Sequence, residues 1–61
     1  MPISNFKYVV VTRTISDLLY YKGNGEWTLY KVNAKVYDGE RASMECEYLS
    51  SFGIVATFIL L

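Results

Sequence analysis

The sequence contains no histidine and only one cysteine among its 61 residues. Histidine is the commonest general base and the commonest metal ligand in proteins, so its absence removes most candidate catalytic and metal-binding arrangements. The lone Cys46 excludes an internal disulfide bond and a metal cluster held by cysteines. We therefore expect no catalytic site, no metal site and no cofactor.

Net charge is also lacking, because six basic and six acidic residues cancel. Binding to duplex nucleic acid requires a basic face that releases counterions from the phosphates, so we expect no such partner. The most apolar stretch, residues 54–61, is far shorter than the roughly 20 residues that cross a membrane. Residues 1–5 show no basic segment followed by an apolar one, which argues against a signal peptide. These features predict a cytoplasmic protein with no membrane partner.

Apolar and aromatic residues are abundant, at 52% and 16% of the chain. The single proline and the absence of low-complexity runs are typical of an ordered chain. A chain of this length buries only about 60% of the surface that its unfolded state exposes. We expect residues 1–61 to form a single domain with a small core.

Four short segments read as strands. Residues 6–13 contain three consecutive valines and alternate so that Tyr8 and Val10 share the face that we expect to point to the core. Residues 18–22 and 26–30 are joined by Gly23-Asn24-Gly25, and Asn-Gly tolerates the positive φ angles of a tight hairpin turn. Residues 34–37 are predicted to form a short fourth strand, with Ala34 and Val36 facing inward.

Residues 39–52 are predicted to form the one helix. Asp38 can cap its start, and Gly53 is placed to end it. Its apolar residues fall in two stripes, Ala42, Cys46 and Leu49, and beside them Met44, Tyr48 and Phe52.

Residues 54–61 follow the helix, and seven of the eight are apolar. A strand without polar alternation normally has cover on both faces, so we expect it to be the interior strand of the sheet and its least exposed segment. Phe58 should then pack under the helix near Leu49 and Phe52, whereas Ile59 should point to the opposite face.

The predicted fold is therefore α+β, a mostly antiparallel sheet of four to five strands with one helix packed on one face, in the order β-β-β-β-α-β. A single helix leaves the other sheet face uncovered, and a contiguous apolar patch of that kind is more often an interface than bare surface. We expect a protein partner or a second copy of the chain there. The residues predicted to bind it are Val9, Val11, Tyr21, Trp27, Tyr30 and Ile59.

Other candidate features have simple structural readings. The Gly23-Asn24-Gly25 turn joins two strands and lacks a following Lys-Ser/Thr, so it does not predict a phosphate loop. Cys46 has no histidine to activate it and is expected to be a buried, inert thiol. Arg41 and Glu45 are spaced to form an ion pair, which lies either on the helix surface or against a partner. The aromatic residues of the sheet either pack within it, bind a protein, or stack on the bases of single-stranded nucleic acid.

Two segments also carry a resemblance. The sequence Leu19-Tyr20-Tyr21-Lys22-Gly23-Asn24-Gly25-Glu26-Trp27-Thr28, followed by Ala34-Lys35-Val36-Tyr37 and a helix with Ala42, resembles small uncharacterised proteins of bacteriophages and prophages. Those proteins often have leucine where this chain doubles the tyrosine, and the resemblance covers about half of the chain. It implies a non-enzymatic accessory protein in the host cytoplasm that binds and inhibits or modulates a host protein. The alternative is a module that binds single-stranded nucleic acid with a Tyr/Trp face.

Overall fold

A computed structural model describes residues 6–61 of the chain. The expectation for the N-terminal signal concerns residues 1–5 and lies outside this range. The described residues form β1 (Tyr8–Arg13), β2 (Leu18–Gly23), β3 (Glu26–Thr28), a short 3₁₀ turn (Lys31–Asn33), α1 (Gly39–Ser50) and β4 (Thr57–Leu60). The four strands form one antiparallel sheet with α1 packed against it, so the predicted small α+β fold is confirmed.

The strand order in the sheet is β3-β2-β1-β4. β1 therefore lies in the interior, pairing with β2 through Val11–Tyr20 and with β4 through Val9–Ile59. Paired residues share a sheet face.

The prediction for residues 54–61 is wrong in one respect. β4 is an edge strand with β1 as its neighbour, and all four of its residues are exposed. The fully buried strand residues are instead Val9 and Val10 of β1. Burial follows from the number of neighbouring strands, and an apolar composition does not report that number.

The β2–β3 hairpin closes as the sequence predicts. Asn24 and Gly25 have φ angles of 56° and 79°, the positive values that a tight turn needs. The Tyr21 hydroxyl accepts a hydrogen bond from the Gly25 N–H at 3.0 Å, which ties the turn back to β2. Tyr21 and Trp27 are cross-strand partners, and their ring centroids lie 4.9 Å apart.

Residues 34–37 form less of a strand than predicted. Tyr37 exchanges two backbone hydrogen bonds with Tyr8 of β1, and the Lys35 N–H donates to the Tyr21 carbonyl of β2. This segment therefore connects β1 and β2 where their direct pairing has ended. Tyr37 is the buried residue, and Val36 is exposed, contrary to its predicted inward orientation. Ala34 is half-buried.

The ends of α1 follow from local capping chemistry. A carboxylate oxygen of Asp38 accepts a hydrogen bond from the Arg41 N–H at 2.8 Å, as expected of an N-cap residue. At the other end Gly53 has a φ of 84°, and the Ile54 N–H donates to the Leu49 carbonyl. This is the hydrogen bond of a Schellman motif, which turns the chain toward β4.

The core lies between α1 and one face of the sheet. Its buried members are Val10, Tyr21, Tyr37, Ala42 and Leu49. Cys46 packs against this cluster, so the predicted Ala42, Cys46 and Leu49 stripe does face the sheet. The second stripe does not, because Met44, Tyr48 and Phe52 are all exposed.

Candidate binding surfaces

The outer edge of β4 carries backbone groups with no neighbouring strand among residues 6–61. The Leu61 N–H donates to the Lys7 carbonyl at 2.8 Å, which points the backbone of Leu61 toward β1. Tyr8, the partner of Leu60, directs its N–H and carbonyl away from β4 to Tyr37. Since antiparallel pairs alternate in this way, the N–H and carbonyl groups of Phe58 and Leu60 point outward from the sheet.

The side chains of β4 are also accessible. Leu60 is 55% exposed, and Phe58 and Ile59 are each 36% exposed. Phe58 lies on the helix side of the sheet, as predicted, because it pairs with Val10. Its ring packs on that of Tyr8, edge to face at a centroid distance of 5.5 Å. The predicted packing near Leu49 and Phe52 stays a prediction.

On the face away from α1, Ile59 borders an apolar groove of about 410 Å³. The groove lies between β4 and the end of β1, and Val55, which is 88% exposed, lines its rim. The Thr12 hydroxyl donates to the Val55 carbonyl at 2.6 Å, which fixes the segment before β4 against β1. Ile59 therefore faces the uncovered side, as the strand alternation predicts.

The other predicted binding residues are less available. Val9 and Val11 lie on the open face but are 0% and 3% exposed, because β1 has strands on both sides. Tyr21 is 2% exposed within the core. The expectation that these three side chains are exposed to solvent is wrong.

Trp27 and Tyr30 complete the predicted set. Trp27 is half-buried against Tyr21, whereas Tyr30 is 64% exposed. Tyr30 follows β3 at one edge of the sheet, and Ile59 lies in β4 at the other edge. The six residues therefore do not form one continuous patch.

A second surface, which we call the polar pocket, lies between the hairpin turn and α1. Its volume is about 230 Å³. Three segments line it: Tyr21 and Gly23 to Gly25 of the hairpin, Lys35 and Tyr37 of the connecting segment, and Arg41, Glu45 and Tyr48 of α1. The Arg41 Nε and a Glu45 carboxylate oxygen are 3.2 Å apart, so the predicted ion pair forms and borders this pocket.

Two groups near the pocket have shifted acidities. Burial is the main cause that raises the pKa of the Tyr37 hydroxyl, and the nearby Glu45 carboxylate adds to it, while Arg41 acts in the opposite direction. Burial, followed by Glu45, also raises the pKa of the Cys46 thiol. Both groups therefore keep their protons at neutral pH, and a protonated thiol is a weak nucleophile.

Sequence reasoning did not identify the polar pocket, because its residues come from three segments of the chain. The available signal was the Arg41–Glu45 spacing just after Lys35 and Tyr37, but no local pattern places the hairpin turn beside them. Within residues 6–61, no three histidine, cysteine or acidic side chains are grouped so that they could hold a metal ion. In the same part of the chain, no helix has the length and hydrophobicity needed to cross a membrane.

Comparison with known proteins gives no family for this chain. No protein-family model matches the sequence, and neither the curated proteins nor the solved structures contain a match.

Proposed function

We propose that this chain is a small non-enzymatic protein-binding module that pairs an extended segment of its partner with the outer edge of β4. The observation that carries the proposal is an edge strand, Thr57–Leu60, with four exposed residues and no charge or proline. Proteins normally protect such edges with charged residues, proline, bulges or very short strands. The opposite edge follows that rule. Its strand β3 has only three residues and begins with the charged Glu26, which forms an ion pair with Lys22.

Strand addition suits the groups that β4 presents. The outward N–H and carbonyl groups of Phe58 and Leu60 can form main-chain hydrogen bonds, which supply affinity in this binding mode. Alternate side chains of the added strand would reach the two sheet faces, where the groove beside Ile59 offers an apolar site. The expected partner segment is therefore extended, largely apolar and uncharged.

The biological setting rests on the resemblance to phage and prophage proteins. A phage accessory protein of this kind would act in the host cytoplasm, binding a host protein and inhibiting or modulating it. The same edge can pair with β4 of a second copy about a twofold axis, because antiparallel pairing of identical strands is self-complementary. A homodimer is thus part of the proposal to be tested.

The nucleic-acid alternative receives less support from the positions of the aromatic rings. Stacking on bases requires exposed ring faces. Tyr21 and Tyr37 are 2% and 6% exposed, and both belong to the core. Binding of single-stranded nucleic acid therefore stays a prediction from the sequence.

A pair of variants at Leu60 tests strand addition directly. Leu60→Pro removes the outward N–H, while the neighbouring bonds to β1 keep their donors. Leu60→Ala removes the side chain but keeps that N–H, so it is the matched control. Tagged wild-type and variant proteins would be used to capture partners from bacterial lysate, and sedimentation would measure self-association. Circular dichroism would establish that each variant folds.

We expect Leu60→Ala to retain the captured protein or the self-association, and Leu60→Pro to lose it. Amide hydrogen exchange gives a second measurement, in which the Phe58 and Leu60 amides of wild-type protein become protected only when the partner or second copy is bound. Equal binding by both variants, or unprotected amides in the complex, would overturn strand addition at β4. Binding lost equally in both variants, with unprotected amides, would assign the interaction to the Leu60 side chain and not to its backbone.

A further inference from the structure

The polar pocket is independent of the β4 edge and has the chemistry of a ligand site. It lies beside β2 and α1, whereas β4 is at the far side of the sheet from the hairpin. Lys35 and Arg41 contribute two positive charges and Glu45 one negative charge, which leaves a net charge of +1. A positive pocket within a chain of zero net charge selects for an anion.

The two cationic side chains of this pocket keep hydrogen-bond donors that are available to a ligand. A guanidinium has five N–H donors, and the described ion pair of Arg41 uses only its Nε. The Lys35 ammonium lies 5.7 Å from the centre of the Tyr37 ring and has no ion-pair partner among residues 6–61. Glu45 is the one carboxylate in the lining, and it forms an ion pair with Arg41.

The Tyr37 hydroxyl is a second feature of the polar pocket that points to a bound ligand. Tyr37 is only 6% exposed, and a tyrosine buried to that extent usually has a hydrogen-bond partner for its hydroxyl. Within residues 6–61, the Tyr37 hydroxyl forms no described hydrogen bond. In the same part of the chain, every fully buried polar side-chain atom has a partner, so this hydroxyl is not fully buried. The hydroxyl thus keeps access to solvent through the pocket that Tyr37 lines, where it can donate to a ligand oxygen.

We propose that the polar pocket binds a small oxyanion, the carboxylate or phosphate group of a ligand, through Lys35, Arg41 and the Tyr37 hydroxyl. Lysine and arginine hold oxyanions by charge-assisted hydrogen bonds, and a neutral phenol adds a directional donor. The hairpin turn closes one side, where the Gly25 N–H is bonded to Tyr21 and keeps the wall in place. The Glu45 carboxylate repels an anionic ligand. Removing its charge should therefore strengthen binding, whereas removing the charge of Lys35 should weaken it.

Titration followed by amide chemical shifts tests this site. Sodium acetate and sodium phosphate are added separately to the full chain at pH 7, with the ionic strength held constant by sodium chloride. The two salts distinguish a carboxylate from a phosphate ligand. The variants are Lys35→Gln, Tyr37→Phe and Glu45→Gln, and the matched control is Lys31→Gln, which removes the same charge outside the pocket lining.

We expect saturable shifts at the hairpin turn, Tyr37 and Arg41 with at least one of the two salts. Lys35→Gln and Tyr37→Phe should each weaken binding by about fivefold or more, as loss of a hydrogen bond to a charged group does. Glu45→Gln should tighten it, and Lys31→Gln should leave it unchanged. Tyr37→Phe alters no charge, so its effect separates a hydrogen-bonded site from general attraction to a cationic surface.

Three results would overturn the proposal. The first is the absence of saturable shifts with either salt. The second is equal weakening by Lys31→Gln and Lys35→Gln, which would indicate an adventitious ion only. The third is unchanged binding in both Tyr37→Phe and Glu45→Gln when circular dichroism shows that they fold.

Discussion

β1 and β4 lie side by side in the sheet, and both consist mainly of apolar residues, yet their environments differ. Val9, Val10 and Val11 of β1 are at most 3% exposed, whereas every residue of β4 is exposed. Their register pairs Val9 with Ile59 and Val10 with Phe58. The difference shows that local hydrophobicity alone does not determine which strand forms the core, since β1 has a strand on each side and β4 has one neighbour.

The comparison has a consequence for the exposed strand. Residues 6–61 include fourteen exposed large hydrophobic side chains, and Phe58, Ile59, Leu60 and Leu61 at the end of the chain are among them. An isolated edge of this composition favours pairing with another chain. β1 therefore supports the fold, and β4 is the strand that we propose for binding.

The largest expected effect comes from placing lysine at two directly opposed positions. Val9→Lys puts a charge at a fully buried site of β1 and should unfold the protein, since burying an unpaired charge costs more than the roughly 5 kcal/mol that stabilises so small a domain. Ile59→Lys, at its partially exposed partner, should leave the fold intact and weaken binding to the partner or second copy. Thermal melting followed by circular dichroism measures the first effect and sedimentation the second. Similar melting of the two variants would show that β4 is as structurally important as β1.

A smaller effect is expected at Phe58. Truncation of a core phenylalanine costs about 3–5 kcal/mol, but Phe58 is partly exposed and packs edge to face on Tyr8. We expect Phe58→Ala to lower the free energy of unfolding by about 1–2 kcal/mol, because an aromatic pair contributes roughly 0.5–1.5 kcal/mol beyond its area burial. Urea denaturation would measure it. A loss in the full core range would place Phe58 in the core and remove the contrast between the two strands.

Local chemistry accounts for the parts of the fold that the sequence predicted well. The positive φ angles at Asn24 and Gly25, the Asp38 cap and the Gly53 termination each depend on a few adjacent residues. Strand order depends on long-range pairing, and the composition of residues 54–61 is compatible with either an edge or an interior position. Long-range pairing also explains why the burial of Val9 and Val11 could not be predicted, since it requires β2 and β4 on either side of β1.

Only part of the proposed binding surfaces could be predicted from the sequence. Strand alternation placed Ile59 on the face opposite Phe58, and the register confirms it. The exposure of the Phe58 and Leu60 backbone could not be predicted without knowing that β4 is an edge strand. The polar pocket depends on Tyr37 bridging to Tyr8, a contact between residues 29 positions apart, so neither local spacing nor composition could indicate it.

The smallest expected effect is a loss of stability at alkaline pH. It should arise from groups packed beside β1 and not from β4. Tyr37 bridges to β1, and Cys46 packs against the same core. The pKa of the Tyr37 hydroxyl is raised above its ordinary value of 10.0, and the pKa of the Cys46 thiol is raised above 9.0.

As the pH rises past about 9, the unfolded chain releases these protons before the folded chain does. The folded state then binds more protons, and the free energy of unfolding decreases until the folded groups titrate as well. The full stabilisation is present below pH 9, so chemical denaturation between pH 8 and 11 would measure the loss. Tyr37→Phe should flatten the upper part of this decline and Cys46→Ala the lower part, whereas Leu60→Ala in β4 should shift the curve without changing its slope. If Leu60→Ala changes the slope as much as Tyr37→Phe does, the alkaline sensitivity does not arise from the core beside β1.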